Sequence, residues 1–319
     1  MVKQMKRIAL TGASGFAGGP ILFELLRAGH QVKVLVRRPR QGQFDPNVTI
    51  VKGDLEDLSA INALVSDVDV VVHVAGAISA FDDNGYFKIN FAGTRNVFNA
   101  AVAVGVKRFV NVSSITARNP ELSPYAASKR AAEDFLATRV GEIEILTLRP
   151  SAIYGPGDKA TLPLLAALQK TVAAVPGQKS AHFSLVHVDD FARVVGAATL
   201  GKQTGVLEID DMSGGHDWHE LAALNRKIYG KPRHMVFLPR SLVTGVAIAS
   251  EIGSKLTGQS GMVNRGKVNE LYHGDWVARG AGWPRDDAIG LAQGLAETVT
   301  WYRAHGWLPP LKQAVRTVP

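Results

Sequence analysis

The stretch LTGASGFAGGP at residues 10–20 joins a short apolar run to a helical pattern through Gly12, Gly15 and Gly18. Gly12 permits a tight turn, Gly15 lets backbone N–H groups approach a pyrophosphate at the helix N-terminus, and Gly18 lets the helix pack closely on the strand. The alternative is a turn that is merely tight, without a ligand. We interpret the stretch as a dinucleotide-binding turn, because it lies between a strand pattern and a helix pattern.

Apolar runs and helical patterns alternate on both sides of this turn. The runs, rich in Val and Ile, occupy residues 7–11, 31–37, 48–54, 68–76, 108–114 and 144–150. Continuous apolar strands that alternate with helices indicate a parallel sheet covered on both faces. With right-handed crossovers, the pattern predicts an α/β fold with a Rossmann-type doubly wound parallel sheet.

The alternation ends after Tyr154, where proline and glycine become frequent. We therefore predict a dinucleotide-binding domain over residues 1–155, to which a strand at 205–210 returns, and a smaller α+β substrate-binding lobe over 156–319. In this lobe, LVTGVAIASEIGSKL at 242–256 is apolar enough to cover a pocket or a membrane surface. Packing in the core or as a lid is the simpler interpretation.

Composition excludes several classes of protein. The 319 residues include no cysteine, which rules out disulfides, thiolate nucleophiles and cysteine-based zinc sites. The formal net charge of +8 comes from scattered Lys and Arg without a nucleic-acid motif, so no nucleic-acid partner is expected. No apolar stretch approaches the roughly 18 residues of a spanning helix, so no integral membrane segment is expected. We expect a cytoplasmic enzyme that acts on a small molecule, and a homodimer is left open.

The end of the second predicted strand bears on the choice of cofactor. NAD enzymes of this fold usually have an acidic residue there to bind the ribose 2′-OH. Val36 holds that position here, and Arg37 and Arg38 follow. Guanidinium groups pair with a 2′-phosphate, so NADP is favoured and NAD is the alternative. If the two arginines are only solvated surface residues, they carry no such information.

Tyr125 and Lys129 are four residues apart in SPYAASKRAAEDF, where Ser123 or Pro124 can begin a helix. The spacing places both on one helix face, and a nearby ammonium is expected to lower the pKa of a tyrosine, making it a usable proton donor and acceptor. Ser114 ends the preceding strand, where a hydroxyl faces the ligand crevice and could bind a carbonyl oxygen. An ordinary amphipathic helix is the alternative, but the glycine turn and the serine together favour an acid–base site.

The chain resembles the extended short-chain dehydrogenase/reductases, within the NAD-dependent epimerase/dehydratase superfamily, over nearly its whole length. The matching motifs are TGASGFAG at 11–18, GDL at 53–55, HVAG at 73–76, NFAGTRNV at 90–97, VSS at 112–114, YAASK at 125–129, LRPSAIYGPGD at 148–158, HVDDFA at 187–192 and GLAETVTWYRAHGWL at 293–307.

The resemblance implies roles for individual residues. Tyr125 would be the general acid/base, Ser114 would orient the substrate oxygen, and Lys129 would also bind the nicotinamide ribose. The residues implied to bind the cofactor are Thr11, Gly12, Gly15, Phe16, Gly18, Arg37, Arg38, Asp54, Leu55, Ala75, Gly76, Lys129 and Pro150. Asn90 matches a family asparagine, but its role is left open.

Two departures from the family pattern concern the substrate. Nucleotide-sugar enzymes of the family often have an Asn where this chain has Ser151 and Ala152, and Arg-Asp where it has Phe183 and Ser184. The pattern looks more like the dihydroflavonol-reductase and 3β-hydroxysteroid-dehydrogenase branch. We therefore predict hydride transfer between NADP(H) and a carbonyl or secondary alcohol of a small, largely apolar substrate. The alternatives are a nucleotide-sugar epimerase or dehydratase and a cofactor-binding protein without turnover.

Other polar clusters have simpler interpretations. His216 and His219 resemble part of a zinc-protease helix, but Ala223 stands where the motif needs a further ligand, so no metal is expected. Asp217 and Glu220 suit the start of a helix. Trp301, Tyr302 and Trp307 are expected in the core.

Overall fold

The computed structural model describes residues 5–232, 234–257, 264–280, 283 and 287–310. Within them the strands are β1 (Arg7–Thr11), β2 (Gln31–Val36), β3 (Thr49–Lys52), β4 (Val70–His73), β5 (Arg108–Val112), β6 (Glu144–Pro150), β7 (Ala152–Tyr154), β8 (Val172–Pro176), β9 (His182–Phe183), β10 (Leu185–His187), β11 (Gly205–Ile209), β12 (His216–Asp217), β13 (His234–Leu238) and β14 (Asp275–Trp276).

The helices alternate with these strands in the first half and follow them less regularly in the second. They are α1 (Gly18–Arg27), α2 (Leu58–Val65), α3 (Asp83–Tyr86), α4 (Gly93–Ala103), α5 (Pro124–Ala137), α6 (Leu162–Leu168), α7 (Val188–Leu200), α8 (Trp218–Tyr229), α9 (Arg240–Thr257), α10 (Arg265–Leu271) and α11 (Leu291–Ala304). A π-helical turn at Phe87–Ala92 joins α3 to α4, and short 3₁₀ helices span Ile115–Arg118 and Pro120–Leu122.

The main sheet has seven strands in the order β11-β6-β5-β4-β1-β2-β3, and every neighbouring pair is parallel. The chain runs outward from β1 to β3 and then crosses to β4 on the other side of β1. This reversal is the point at which doubly wound sheets bind ligands, beyond the carboxyl ends of the strands. The predicted fold class is confirmed, and the glycine turn follows β1 at the reversal.

Each face of the sheet has its own apolar core. On one face, α1 and α7 bury Ile21, Leu25 and Phe191 against the strands. On the other face, α2, α4 and α5 bury a second set of apolar side chains, including Phe98 and Leu136. Because both faces are covered, the strands are apolar on both sides, which explains their continuous Val and Ile runs.

The second half of the chain builds a smaller group of short sheets and helices with a separate core. In it β13 pairs with β8 in parallel, and β9 lies between β12 and β14. Tyr302 is fully buried there, and Trp301 and Trp307 pack against it. These three aromatic residues therefore lie in or against a core, as predicted. Gly205–Ile209, which follows α7, lies at the edge of the main sheet beside β6.

Some element boundaries differ from those expected. β3 covers only Thr49–Lys52 of the apolar run at 48–54. β4 ends at His73, because the Ala75 N–H donates to the Thr11 side chain and leaves the strand ladder. Within the described part of the chain, no helix combines the length and apolar character needed to cross a bilayer.

Candidate active site

The glycine turn after β1 has geometry that only glycine permits at two positions. Gly12 has a φ of +80°, and a Cβ there would lie 2.7 Å from the Ala75 backbone nitrogen. A Cβ on Gly18 would overlap the Gly12 carbonyl. Gly15 N donates to Gly12 O at 2.9 Å, and Gly15 itself is exposed. The turn therefore offers an exposed, side-chain-free backbone at the start of α1, beside the half-buried Phe16.

A directed hydrogen-bond chain runs beneath this turn. The Ala75 N–H donates to Thr11 Oγ1, which lies 2.8 Å from His73 Nδ1. On the other side His73 Nε2 lies 3.0 Å from Thr94 Oγ1, and the Thr94 hydroxyl donates to Asn90 O at 2.6 Å. Because the Thr94 proton is used, His73 must donate through Nε2 and accept at Nδ1. Burial and the charge of Lys129 lower the pKa of His73 to about 3, so this imidazole is neutral.

The side chains at the ends of β2 and β3 face solvent. Arg37 and Arg38 follow the buried Val36 and are both exposed. Asp54 is exposed and accepts hydrogen bonds from the N–H groups of Glu56 and Asp57. These residues lie on the other side of β1 from the catalytic candidates, as the two halves of a dinucleotide would require.

Ser114 lies directly after β5, where it caps a 3₁₀ helix. Its Oγ accepts from Thr116 N at 3.2 Å and from Thr116 Oγ1 at 2.9 Å. A hydroxyl oxygen has two lone pairs, so these contacts occupy its acceptor capacity and leave its proton to donate. Ser114 hydrogen-bonds with Tyr125, and this hydrogen bond lowers the pKa of the phenol.

Tyr125 is the second residue of α5, which begins as predicted. Ser123 caps the helix by accepting from Ala126 N at 3.0 Å, and Pro124 is its first residue. The expectation that the pKa of Tyr125 would be lowered is wrong for this structure. Burial raises it to about 12, Ser114 opposes that shift, and the charges of Glu270 and Tyr86 add to it. The phenol is therefore a proton donor over the whole neutral range.

Lys129 lies one turn further along α5 and is buried. Its Nζ donates to Val112 O at 3.0 Å, at the carboxyl end of β5. Burial lowers the pKa of the ammonium to about 8, against the opposing charge of Glu133. A Cβ on Gly76 would lie 2.9 Å from this Nζ and 3.1 Å from Asn90 Oδ1, so a larger residue there would displace the lysine side chain.

Asn90 lies in the π-helical turn and fixes the loop after β4. Its Oδ1 accepts from Ala77 N at 2.7 Å, and its Nδ2 donates to Ala77 O at 3.0 Å and to Ser128 Oγ at 2.9 Å. Isolated π turns often occur at functional sites. The side chain thus ties the Gly76 loop to α5, between Tyr125 and Lys129.

Two further carboxylates support α5, and sequence analysis singled out neither. Glu133 accepts from Ser113 Oγ at 2.5 Å and pairs with Arg149 on β6. Glu270 on α10 accepts from Ser123 Oγ. Glu133 could have been found from its i,i+4 spacing to Lys129. Glu270 offers no such signal, because its partner is far away in the sequence.

The residues present fit a nicotinamide dinucleotide. The bare glycine backbone can receive the pyrophosphate at the N-terminus of α1. Ala75, Gly76, Lys129 and the buried Pro150 all lie at the carboxyl ends of β4, β5 and β6, where the nicotinamide half would lie. Leu55 packs on Gly93 beneath the loop after β3, on the adenine side.

Comparison with known proteins identifies the family. The family model described as "NAD dependent epimerase/dehydratase family" matches residues 8–206. A ceramide reductase from Caulobacter vibrioides is 36% identical over 309 residues, covering 95% of this chain and 96% of that protein. A 3 beta-hydroxysteroid dehydrogenase/Delta 5-->4-isomerase from Mycobacterium tuberculosis is 30% identical over 217 residues, 59% of each chain.

A solved structure agrees in fold. The Bordetella bronchiseptica enzyme WbmH, solved in complex with NAD+, superimposes with a TM-score of 0.72 at 23% identity. The match covers 95% of this chain and 100% of that one. The predicted resemblance to extended short-chain dehydrogenase/reductases of the NAD-dependent epimerase/dehydratase superfamily is confirmed, and a hydroxysteroid dehydrogenase is among the relatives.

Proposed function

The chain belongs to the NAD-dependent epimerase/dehydratase family, as an enzyme of the oxidoreductase type, and from this premise we propose that it is an NADP(H)-dependent reductase of a carbonyl group on a ceramide-type lipid. The proposal takes its substrate class from the 36% identity to a ceramide reductase over 95% of the chain. It takes its reaction from Ser114, after the carboxyl end of β5, and Tyr125, at the start of α5.

The observation that carries the reaction is the pairing of two hydroxyl donors. Ser114 has a proton to donate, since its oxygen already accepts two hydrogen bonds. Tyr125 is protonated at neutral pH, since its pKa is raised to about 12 by burial first of all. Two neighbouring hydroxyl donors suit a carbonyl oxygen that gains negative charge during reduction.

The roles of the protein groups in reduction follow. When bound, the dihydronicotinamide supplies the hydride to the carbonyl carbon. Ser114 holds the carbonyl oxygen, and Tyr125 gives its phenolic proton to that oxygen as the C–O double bond becomes a single bond. The resulting tyrosinate lies one helical turn from the Lys129 ammonium, whose charge stabilises it until solvent returns the proton.

The loop after β4 supports an apolar substrate. Ile78 and Phe81 lie between Gly76 and α3, and their side chains are 74% and 57% exposed. Exposed apolar groups at a catalytic edge are suited to contact a hydrocarbon ligand. The buried Tyr86 ring lies edge-on to Tyr125 at 6.1 Å between centroids.

For the cofactor, we propose NADP over NAD. Arg37 and Arg38 are exposed at the end of β2 and can pair with a 2′-phosphate, and no carboxylate follows Val36 directly. The other site residues assigned above from the family resemblance keep those roles in this proposal. We also propose a cytoplasmic location.

The test is consumption of NADPH with a 3-oxo ceramide analogue in detergent micelles. Calorimetry with UDP-, GDP- and dTDP-sugars is the competing arm. We expect turnover of the lipid ketone and no saturable binding of the nucleotide sugars. Nucleotide-sugar binding in the micromolar range that competes with turnover would replace this proposal with an epimerase or dehydratase. Binding of NADPH without turnover of any carbonyl tested would favour a non-catalytic protein.

A further inference from the structure

The outer face of α9 is an unpartnered apolar surface. Its members Leu242, Val246, Ile248 and Ile252 are 56%, 58%, 43% and 56% exposed. We call these four residues the α9 face. They recur at helical spacing on the side opposite Val243 and Ala247, which are buried against α10. Sequence analysis predicts core or lid packing for this helix, and among its described side chains Val243 and Ala247 are packed while the α9 face is exposed.

Most of the net positive charge of the chain lies in the sequence segment that contains this face. The segment 221–271 ends with α10 and contains eight Lys or Arg and two Glu. Its net charge is therefore +6, compared with +8 for the whole chain. No acidic residue occurs between Leu221 and Ser250. Glu270 is buried, accepts from Ser123 and pairs with Lys267 through its other carboxylate oxygen. Arg265 and Lys267, on α10, are 68% and 52% exposed even though they pair with Glu251 and Glu270.

The α9 face is one helix layer from the catalytic tyrosine. The inner face of α9 packs on Val268 of α10. In turn α10 packs on the start of α5, where a Cβ on Gly266 would lie 2.8 Å from the Ser123 Cβ. Asn264, which caps α10, donates to the Tyr86 hydroxyl at 3.3 Å. A partner that covers α9 therefore lies next to the part of the site that contains Tyr86 and Tyr125.

We propose that the α9 face is a docking surface for an anionic lipid bilayer. An amphipathic helix with an aliphatic face and basic surroundings lies in the bilayer interface, with its apolar side chains below the head groups and its cations among them. Lipids drawn from the bilayer would then reach the site past α10. This inference goes beyond the proposed function, because it concerns binding to a surface and not turnover.

Two other occupants fit the observations less well. A second copy of the chain would form a two-fold interface, in which the same patch meets itself. The basic segment would then face another basic segment, which like-charge repulsion disfavours. A nucleic acid would match the charge, but the α9 face is aliphatic and has no aromatic ring for base stacking.

The test is flotation of the purified full chain with vesicles, without cofactor or substrate. Phosphatidylcholine vesicles with and without phosphatidylglycerol are compared at low and high salt. The test variant is Val246→Glu with Ile252→Glu. The control is Val104→Glu with Val140→Glu, two exposed valines elsewhere, which changes the net charge equally. Circular dichroism checks folding, and a second pair, Val246→Gln with Ile252→Gln, repeats the test without the charge change.

We expect the parent and the control to bind phosphatidylglycerol vesicles, and to bind less at high salt because exposed charges are screened. The test variant should bind about ten-fold more weakly or worse, since burying one Val or Ile side chain is worth roughly that factor. Three results would overturn the proposal: no binding by the parent, equal loss in test and control, or a parent dimer that the test variant converts to monomer. Because no turnover is measured, failure here leaves the proposed reaction untouched.

Discussion

Glu270 on α10 accepts a 2.5 Å hydrogen bond from the hydroxyl of Ser123, the residue that caps the helix of Tyr125. Its second carboxylate oxygen accepts from Lys267 Nζ at 3.0 Å. The contact joins the second half of the chain to the start of α5. It also puts a negative charge near Tyr125. Burial is the main cause of the raised pKa of Tyr125, and the charge of Glu270 contributes further.

Glu270→Gln should therefore move the pH dependence of reduction. Glutamine can still accept from Ser123 but has no charge, so the pKa of Tyr125 should fall. Since reduction needs the protonated phenol, the alkaline decline of kcat should begin at lower pH than in the parent. The matched control is Asp134→Asn, which removes an exposed carboxylate from α5, the helix of Tyr125. It should leave the pH profile unchanged. An unmoved profile for both variants would show that the Glu270 charge does not act on the tyrosine.

Tyr125→Phe should lower kcat by about 10²–10⁴, the usual contribution of general acid–base catalysis. The change removes only the hydroxyl, so thermal stability and the Kd for NADPH should remain close to those of the parent. Steady-state kinetics and a fluorescence titration of NADPH measure the two effects separately. Activity within a few-fold of the parent would mean that another group donates the proton.

Arg37→Ala should narrow the preference for NADPH over NADH. A hydrogen bond to a charged group contributes about 1.5–3 kcal/mol, which corresponds to roughly a 10- to 100-fold loss in NADPH affinity. NADH affinity should change little, since it has no 2′-phosphate. Titration of both cofactors against parent and variant measures this. Equal affinity of the parent for both cofactors would reduce Arg37 to a surface residue.

Local sequence determines much of what could be predicted. The glycine turn, the Val and Ile strands and the Ser123–Pro124 start of α5 each depend on neighbours a few residues away, so their patterns are visible in the sequence. The pKa of Tyr125 was predicted in the wrong direction because only Lys129, at i+4, was considered. Burial dominates instead, and burial depends on α10 and the Tyr86 helix folding over the tyrosine.

Long-range contacts could not be predicted from the pattern. Ser123 and Glu270 are 147 residues apart, and nothing in either neighbourhood indicates the other. The apolar periodicity of α9 identifies a helix but not which side of it is covered. Val268 on α10 and Tyr272 directly after it decide which side of α9 is covered. They bury one side of α9 and leave the other exposed.

The ion pair between Glu133 and Arg149 should be important for stability. Both side chains are largely buried, and Ser113 also donates to Glu133. Glu133→Ala leaves Arg149 without this partner, and breaking a buried pair costs about 3–5 kcal/mol. Glu142→Ala removes a carboxylate from the more exposed pair with Arg139 and should cost much less, because solvent screens that pair. Urea unfolding of the three proteins compares the free energies, and equal costs for both variants would contradict the prediction.

His216 should make stability depend on pH in the alkaline range. Burial alone would lower its pKa, but hydrogen bonds and charges from Asp211 and Glu220 outweigh burial and raise the pKa to about 9. Its unfolded value is about 6.5. A group whose pKa is higher in the folded than in the unfolded protein stabilises the fold fully below its unfolded-state pKa. This stabilisation is lost as the pH rises through its folded-state pKa.

The difference in Tm between the parent and His216→Gln should therefore be largest below about pH 6.5 and shrink toward about pH 9. His219→Gln changes an exposed histidine on the adjacent helix α8, and its difference from the parent should stay flat over that window. A flat difference for His216→Gln as well would mean that the imidazolium is not held by the two carboxylates.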